Sequence, residues 1–250
     1  MGKISEIFCM DCMEYMRSVP DKFFDLALVD PPYGIGADKP SIKPCVVKQK
    51  NGTLLPVKQP RYVHKDWDTQ IPDEAYFTEL RRVSKNQIIF GANYFPGLAG
   101  GAIVWDKLNG MSDQYGCEIA YQSFDQRTDI VYYMWRGMIQ GVCCSRDIQK
   151  AIIQQGNKAK NEKRIHPAQK PVALYHWLLK EYTKEGDKIL DTHLGSGSSR
   201  IAAYKLGLDF YGTEDDEDFF AAQEKRFRSE CYGETVTEKG VIKELSLFEL

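Results

Sequence analysis

Apolar positions fall into short runs cut off by Gly and Pro, and their spacing switches between strand-like and helix-like periods. Residues 4–9 (Ile-Ser-Glu-Ile-Phe-Cys) predict a strand, and Asp11 to Val19 a short helix. Asp25-Leu26-Ala27-Leu28-Val29-Asp30 is an apolar run that stops at Pro31-Pro32-Tyr33-Gly34, the pattern of a strand buried on both faces. Residues 36–70 are polar and rich in Pro and Lys, and predict a long loop. From Asp73 to Ser84 a helix places Ala75, Phe77, Leu80 and Val83 broadly on one side, and strands follow at 87–90 and 102–105. In the last third, Pro171 opens a helix through Val172, Leu174, Trp177, Leu178 and Leu179 that ends near Gly186. Then come a strand at 188–191, a tight turn at Gly195-Ser196-Gly197, a helix from Ser198 to Leu206 stopped by Gly207, a strand at 210–214 and a helix from Asp216 to about Cys231. Strand–helix–strand alternation with short loops predicts an α/β fold with a doubly wound, mostly parallel sheet.

Composition agrees with that picture. The 250 residues suit one domain spanning 1–250, and 43% apolar with 27% charged residues supply a core and a solvated surface, which excludes disordered and collagen-like chains. Glu6 and Asp11 interrupt the run a secretory signal needs, and Glu6 stands where a myristoylation signal needs Ser or Thr. The uncharged stretch 86–105 is broken by Gly91, Pro96, Gly97, Gly100 and Gly101, so strands and turns are expected there rather than a membrane span. Seven irregularly spaced cysteines suit a reducing, cytoplasmic setting. Cys9-x-x-Cys12 has no second pair at workable spacing, so buried structural thiols are expected and no metal site.

Two stretches carry candidate chemistry. In ILDTHLGSGSSRIAAYKLGLDFYGTE a strand delivers the chain to a Gly-x-Gly turn at a helix N-terminus, where missing side chains allow close approach of a ligand. Glu214 ends the following strand, at the position of the acid that grips ribose hydroxyls in dinucleotide-type folds. Only two glycines are present, and a plain turn is the alternative; the flanking strand, helix and Glu214 favour a nucleoside cofactor. Asp191, ending the preceding strand, would repel phosphates but receive an ammonium, which favours a cofactor without phosphates. In Asp30-Pro31-Pro32-Tyr33-Gly34, two prolines remove N–H donors and fix carbonyls, Asp30 adds an acceptor and Tyr33 a flat ring. Together they form a slot for a planar group bearing an amine. A strand end with Tyr33 in the core is the plainer reading, and the glycine turn in the same chain tips the balance to the slot.

These stretches closely resemble the amino-group DNA methyltransferases that use S-adenosylmethionine, in FFDLALVDPPYG, WDTQIPDEAYFTELRRVSKNQIIFGANYF and HPAQKPVALYHWLLKEYTKEGDKILDTHLGSGSS. The Asp-Pro-Pro-Tyr element precedes the glycine turn, as in the permuted β-class of that family, with a Rossmann-like methyltransferase fold. The resemblance implies methyl transfer to N6 of a flipped-out adenine, with cytosine N4 transfer or an inactive DNA-binding relative as alternatives, in a restriction-modification setting in a bacterium or phage. It makes Asp30, Pro31, Pro32 and Tyr33 catalytic, with Asp30 and the Pro31 carbonyl accepting from the amine and Tyr33 stacking on the extruded base. It assigns the cofactor to Asp11, Asp30, Lys170, Asp191, Gly195, Ser196, Gly197, Ser198, Glu214 and Asp215, with Asp11 near the adenine and Lys170 near the methionine end. Thr192-His193 departs from the family's Pro-Phe; His193 either packs its ring on the cofactor or caps the turn. His64, His166 and His176 are expected to make structural or surface contacts.

Double-stranded DNA as partner gives the charge pattern a meaning. The net charge of −2 excludes a wholly basic coat protein but averages unlike regions. Residues 36–65 and 127–170 each carry an excess of six basic charges, while 209–250 hold twelve acids against five bases. Segments 36–70 and 127–165 are therefore candidate DNA-recognition insertions, with Lys43, Lys48, Lys50, Arg61, Arg136 and Arg146 as candidate phosphate contacts. Residues 132–138 (YYMWRGM) offer either a wedge for the opened duplex or core packing. Residues 235–250 form a C-terminal tail whose Leu245–Phe248 resembles the sliding-clamp peptide, with Glu244 in place of its Gln. A homodimer is a further candidate assembly; no membrane partner is expected.

Overall fold

The computed structural model describes residues 4–37, 46–48, 51–56, 65–109, 115–136, 139–151, 161–237 and 240–243. Its elements, in chain order, are β1 (Ser5–Cys9), α1 (Cys12–Ser18), β2 (Phe24–Val29), β3 (Val46–Lys48), β4 (Leu54–Pro56), α2 (Glu74–Val83), β5 (Ser84–Phe90), β6 (Gly101–Asp106), β7 (Cys117–Gln122), β8 (Thr128–Tyr132), β9 (Trp135–Arg136), β10 (Ile139–Gln140), α3 (Ile148–Ala151), α4 (Val172–Tyr182), β11 (Lys188–Asp191), α5 (Ser198–Leu206), β12 (Asp209–Glu214), α6 (Glu217–Tyr232), β13 (Glu234–Thr237) and β14 (Gly240–Lys243).

Eight strands form one sheet in the order β1-β12-β11-β2-β5-β7-β6-β8. The first five run parallel, and β7 lies antiparallel to both neighbours. Strand β2, which leads to Asp-Pro-Pro-Tyr, thus lies beside β11, which leads to the glycine turn, although about 160 residues separate them in sequence. Both turns open at the carboxyl edge of the sheet, where open α/β sheets bind their ligands. The expected doubly wound, mostly parallel sheet is the one observed.

Side-chain alternation explains the three layers. Leu26 and Leu28 of β2 join Ile88, Phe90 and Ile189 under α4 and α5 on one face. Ala27 and Val29 join Ile89, Leu190 and Tyr211 under α1 and α2 on the other. Because the strand period is two, each central strand must be apolar at every position to serve both layers. Helix ends follow their capping residues: Asp11, Asp73 and Asp216 accept from backbone N–H groups in the first turns of α1, α2 and α6, and left-handed Gly207 and Gly233 close α5 and α6.

Three expectations change. Residues 36–70 hold the hairpin β3–β4 as well as loop. Segment 127–165 begins inside the main sheet, since β8 pairs with β6, and its Tyr133 and Trp135 are core residues, so core packing is the outcome for that stretch. The tail from 235 begins with the hairpin β13–β14, while 244–250, including Leu245–Phe248, lie outside the described residues. The thiols also depart from expectation. Cys9 and Cys117 are exposed, Cys12, Cys143, Cys144 and Cys231 are half-buried, and all six are free. Among the described residues no group of His, Cys, Asp or Glu could hold a metal ion, and no helix is long and apolar enough to cross a membrane.

Candidate active site

One cavity of about 870 Å³ spans the carboxyl edge of the sheet, lined on one side by Asp30–Tyr33 and on the other by His193–Ser196 and Glu214–Asp216. Asp30 follows β2 and is half-buried. Its Oδ1 accepts from the Tyr33 hydroxyl at 2.5 Å and its Oδ2 from Lys170 Nζ at 2.5 Å. Burial pushes the Asp30 carboxyl above the usual carboxylate range, and the Lys170 charge pulls it back. Lys170 also donates to the Tyr33 hydroxyl at 2.9 Å and lies 3.2 Å from Glu118 Oε2. Lys107 completes the chain by pairing with Glu118 Oε1.

The Asp-Pro-Pro-Tyr turn is held from behind by Asp68, which is 1% exposed. Its Oδ1 accepts from Tyr33 N at 2.7 Å and Gly34 N at 2.8 Å, and its Oδ2 from Ala37 N at 2.7 Å. Two prolines cannot donate, so the first free N–H groups after them are the ones Asp68 collects. The Tyr33 ring stacks on Tyr94, with centroids 5.0 Å apart and planes 14° apart. Gly91 makes room for it: its φ is +74°, and a Cβ there would lie 2.3 Å from the ring.

The other half is built on the glycine turn. Gly195 and Gly197 both adopt left-handed φ, +49° and +71°. Glu214 Oε2 accepts from Gly195 N at 2.7 Å, and burial with the neighbouring Asp215 and Asp216 charges pushes its carboxyl up to about 7. Asp191 does not line the cavity. It is 1% exposed, accepts from His193 N at 3.0 Å and the Ser199 hydroxyl at 2.5 Å, and is pushed by burial to about 7. Both of its oxygens thus accept from the turn itself. Gly197 and Ser198 likewise stand behind the turn, where Arg226 donates to Ser196 O and Ser198 Oγ. The remaining expected residues, Asp11, Asp30, Lys170, Gly195, Ser196, Glu214 and Asp215, all face the cavity.

Arg226 also joins this half to the segment that carries Lys170. It pairs with Glu162 at 2.7 Å, and Glu162 in turn accepts from Gln169 and from Val172 N. Three segments therefore converge on one half-buried carboxylate, which fixes Lys170 one residue beyond Gln169.

The histidines resolve in opposite ways. His193 lines the cavity with its ring edge-on to Tyr76, and its Nδ1 lies 3.0 Å from the Thr192 hydroxyl. Burial lowers it to about 4, so it presents a neutral ring. His166 is in the cavity as well, which corrects its assignment to a plain structural or surface contact. It sits between Trp67 and Phe219, and burial beside the Lys170 charge lowers it to about 4. His176 lies on α4 outside the cavity, and His64 lies outside the described residues.

The candidate DNA contacts are less gathered. Lys43, Lys50 and Arg61 lie outside the described residues; Lys48 falls in β3 and Arg136 in β9. Arg146 is exposed at a separate depression of about 530 Å³ with Arg127 and Trp177, away from the main cavity. Lys65, one of the basic residues of the 36–65 segment, is committed to Asp216 and Asp218 at 2.7 and 2.5 Å.

Asp68, Glu118, Lys107 and Arg226 were not expected from sequence. Glu118 had the only local signal, a charged residue alternating with apolar ones within a strand.

The sequence profile of the DNA methylase family, covering the N6 and N4 types, matches residues 103–225. Among curated proteins, the chain is 38% identical over 65 residues to the type II methyltransferase M2.DpnII of Streptococcus pneumoniae, which covers 26% of this chain and 24% of that protein. It is 22% identical to the type II methyltransferase M.HinfI of Haemophilus influenzae, over 87% of this chain and 67% of that protein. The solved M1.HpyAVI complex with SAM is 21% identical, covers 88% of this chain and 98% of that one, and superposes with a TM-score of 0.50, a likeness of fold. The match spans about a quarter of M2.DpnII and about two thirds of M.HinfI.

Proposed function

We propose that this chain is a β-class, site-specific DNA methyltransferase that moves a methyl group from S-adenosylmethionine to N6 of an adenine flipped out of the duplex. The observation that carries the reading is the cavity itself. It brings the Asp-Pro-Pro-Tyr turn and the Gly195 turn with Glu214 to one space, from strands adjacent in the sheet but distant in the chain.

The residues present fit the cofactor. The acids lining the cavity, Asp11, Asp30, Asp68, Glu118, Glu214, Asp215 and Asp216, outnumber Lys65 and Lys170, which suits a molecule carrying sulfonium and ammonium charges and no phosphate. Glu214 is placed to take ribose hydroxyls, Asp11 the adenine, and the Gly195-Ser196 backbone the close approach. When bound, S-adenosylmethionine supplies an electrophilic methyl group.

The chain's own residues prepare the amine. An aryl amine donates its lone pair into the ring and is a poor nucleophile. Asp30 and the Pro31 carbonyl accept hydrogen bonds from its two N–H groups, drawing it toward tetrahedral geometry and freeing the lone pair. Lys170 and Tyr33 hold the Asp30 carboxylate in place, so the acceptor is preorganised. Asp30 is also the group placed to take the proton the amine sheds after transfer. Neutral His193 and Tyr76 make the wall beside the glycine turn less polar, and Tyr94 extends the aromatic surface of Tyr33. An Asp in the first position of the tetrapeptide favours adenine over cytosine.

The test is incubation with labelled S-adenosylmethionine and unmethylated DNA, followed by nucleoside digestion and mass detection. N6-methyladenine is the expected product. N4-methylcytosine alone would overturn the base assignment, and no incorporation across a range of unmethylated genomic DNAs would overturn the reading as a whole.

A further inference from the structure

We propose that Glu118 is a positioning residue of this site: together with Lys107 it holds the Lys170 ammonium against Asp30 in a linear chain of alternating charge. The placement stands on geometry, and only the kinetic arm of its test rests on the methyltransferase reading.

Lys170 is 5% exposed, and an isolated ammonium in so dry a place is driven to lose its proton or leave. Its Nζ instead has an acid on each side, Asp30 at 2.5 Å and Glu118 at 3.2 Å, with the Phe90 and Tyr33 rings at 4.6 and 5.3 Å. Glu118 is held in turn by Lys107, whose Nζ also lies 4.8 Å from the Trp105 ring. The four charges sum to zero, and each acid touches a base. Without Glu118, Lys170 has Asp30 as its one counter-charge, and Asp30 is spent as an ion-pair partner instead of an acceptor for the substrate amine. With Glu118 in place, Lys170 is shared and Asp30 keeps acceptor strength. The other titratable groups that bear on this chain are Tyr33 of the Asp-Pro-Pro-Tyr turn, Tyr76 of α2, Tyr94 beside the Tyr33 ring, Tyr175 of α4, Asp191 of β11 and His166 of the segment before α4. None of them offers Lys170 a second carboxylate in contact.

The sign of the effect is fixed. Glu118→Gln removes a negative charge, so Lys170 loses its proton more easily and Asp30 gains one less easily. Both limbs of the pH–rate profile should move to lower pH, by about one to three units. A merely structural role would lower kcat at every pH and leave the limbs where they were. Glu118→Asp keeps the charge and should return the limbs toward their wild-type positions even where it slows turnover.

The direct readout needs no turnover. In cofactor-free protein labelled with ¹⁵N-lysine, Lys170 Nζ is assigned by the loss of its resonance in Lys170→Arg and titrated in wild type, Glu118→Gln and Glu118→Asp. The expected result is a titration lowered in Glu118→Gln by about one to three pH units, and nearer wild type in Glu118→Asp. An unchanged Lys170 titration in Glu118→Gln overturns the proposal, as does a Glu118→Asp variant that behaves like Glu118→Gln. Should wild type methylate no DNA while Lys170 responds as stated, the proposed function fails and the charge chain stands.

Discussion

Asp68→Ala removes the acceptor for three backbone donors while leaving every residue of the Asp-Pro-Pro-Tyr turn unchanged. The lost bonds are those from Tyr33 N, Gly34 N and Ala37 N, at 2.7, 2.8 and 2.7 Å. Each hydrogen bond to a charged acceptor contributes about 1.5–3 kcal/mol. Gly34 and Ala37 are exposed, so water takes over part of their share, and the net loss is about 2–4 kcal/mol. Asp68→Asn can keep an oxygen toward Tyr33 and Gly34 but presents an amide donor to Ala37, so it should lose about 1–2 kcal/mol. The turn also sets where Asp30 and Tyr33 point, and misplacement by about 1 Å costs on the order of 100-fold in rate. Urea unfolding and single-turnover methyl transfer read the two effects separately. The expected order is wild type, Asp68→Asn, Asp68→Ala in both assays, with cofactor affinity by calorimetry falling far less than the transfer rate. The reasoning is refuted if Asp68→Ala unfolds within about 0.5 kcal/mol of wild type and keeps half its rate.

Gly91→Ala should cost at least about 1–2 kcal/mol from its left-handed backbone alone; the added Cβ also displaces the Tyr33 ring, so methyl transfer should fall more steeply than Tm, and equal rates in variant and wild type would count against the packing described. Asp191, held near 7 by burial, binds a proton in the folded state across a range where the unfolded chain, near 3.8, has released it. That contribution is full below about 4 and is lost as pH rises through about 7, worth about 2–3 kcal/mol between pH 5 and 8. Asp191→Asn should remove this decline from urea-unfolding curves taken at those two pH values, and an identical decline in the variant would contradict it. Arg226→Met leaves the half-buried Glu162 without its cation and should destabilise by about 3–5 kcal/mol in the same assay; a loss under 1 kcal/mol would show that Glu162 does not depend on it.

Much of the sheet can be read from the chain because its central strands are buried on both faces. Residues 26–29, 88–90 and 189–190 are apolar without a break and are bounded by polar residues and turns, so the type and approximate limits of their strands follow from local pattern. Strand β7 was missed because its second face interrupts apolar Ala120 with Glu118, turned to the cavity, and Gln122, buried in contact with Asp125. The two turns that build the site stood out because Pro-Pro and Gly-x-Gly impose backbone geometry by themselves. Their supports did not. Asp68 lies 35 residues from Tyr33, Glu162 lies 64 from Arg226, and Glu118 lies 52 from Lys170, so each looks like an ordinary charged residue until the sheet brings it to its partner. Asp191 is the converse case: its position at a strand end could be read from the sequence, but not that it stands outside the cavity lining, accepting from the Ser199 hydroxyl and His193 N.

The central claim is that Asp30 is the acceptor that activates an exocyclic amine of DNA. It is tested most directly by comparing wild type with Asp30→Ala for labelled methyl transfer to unmethylated DNA, with cofactor binding measured on the same preparations. The account predicts N6-methyladenine from wild type, and from Asp30→Ala no transfer with cofactor binding retained. Turnover by Asp30→Ala at a rate near wild type would contradict it.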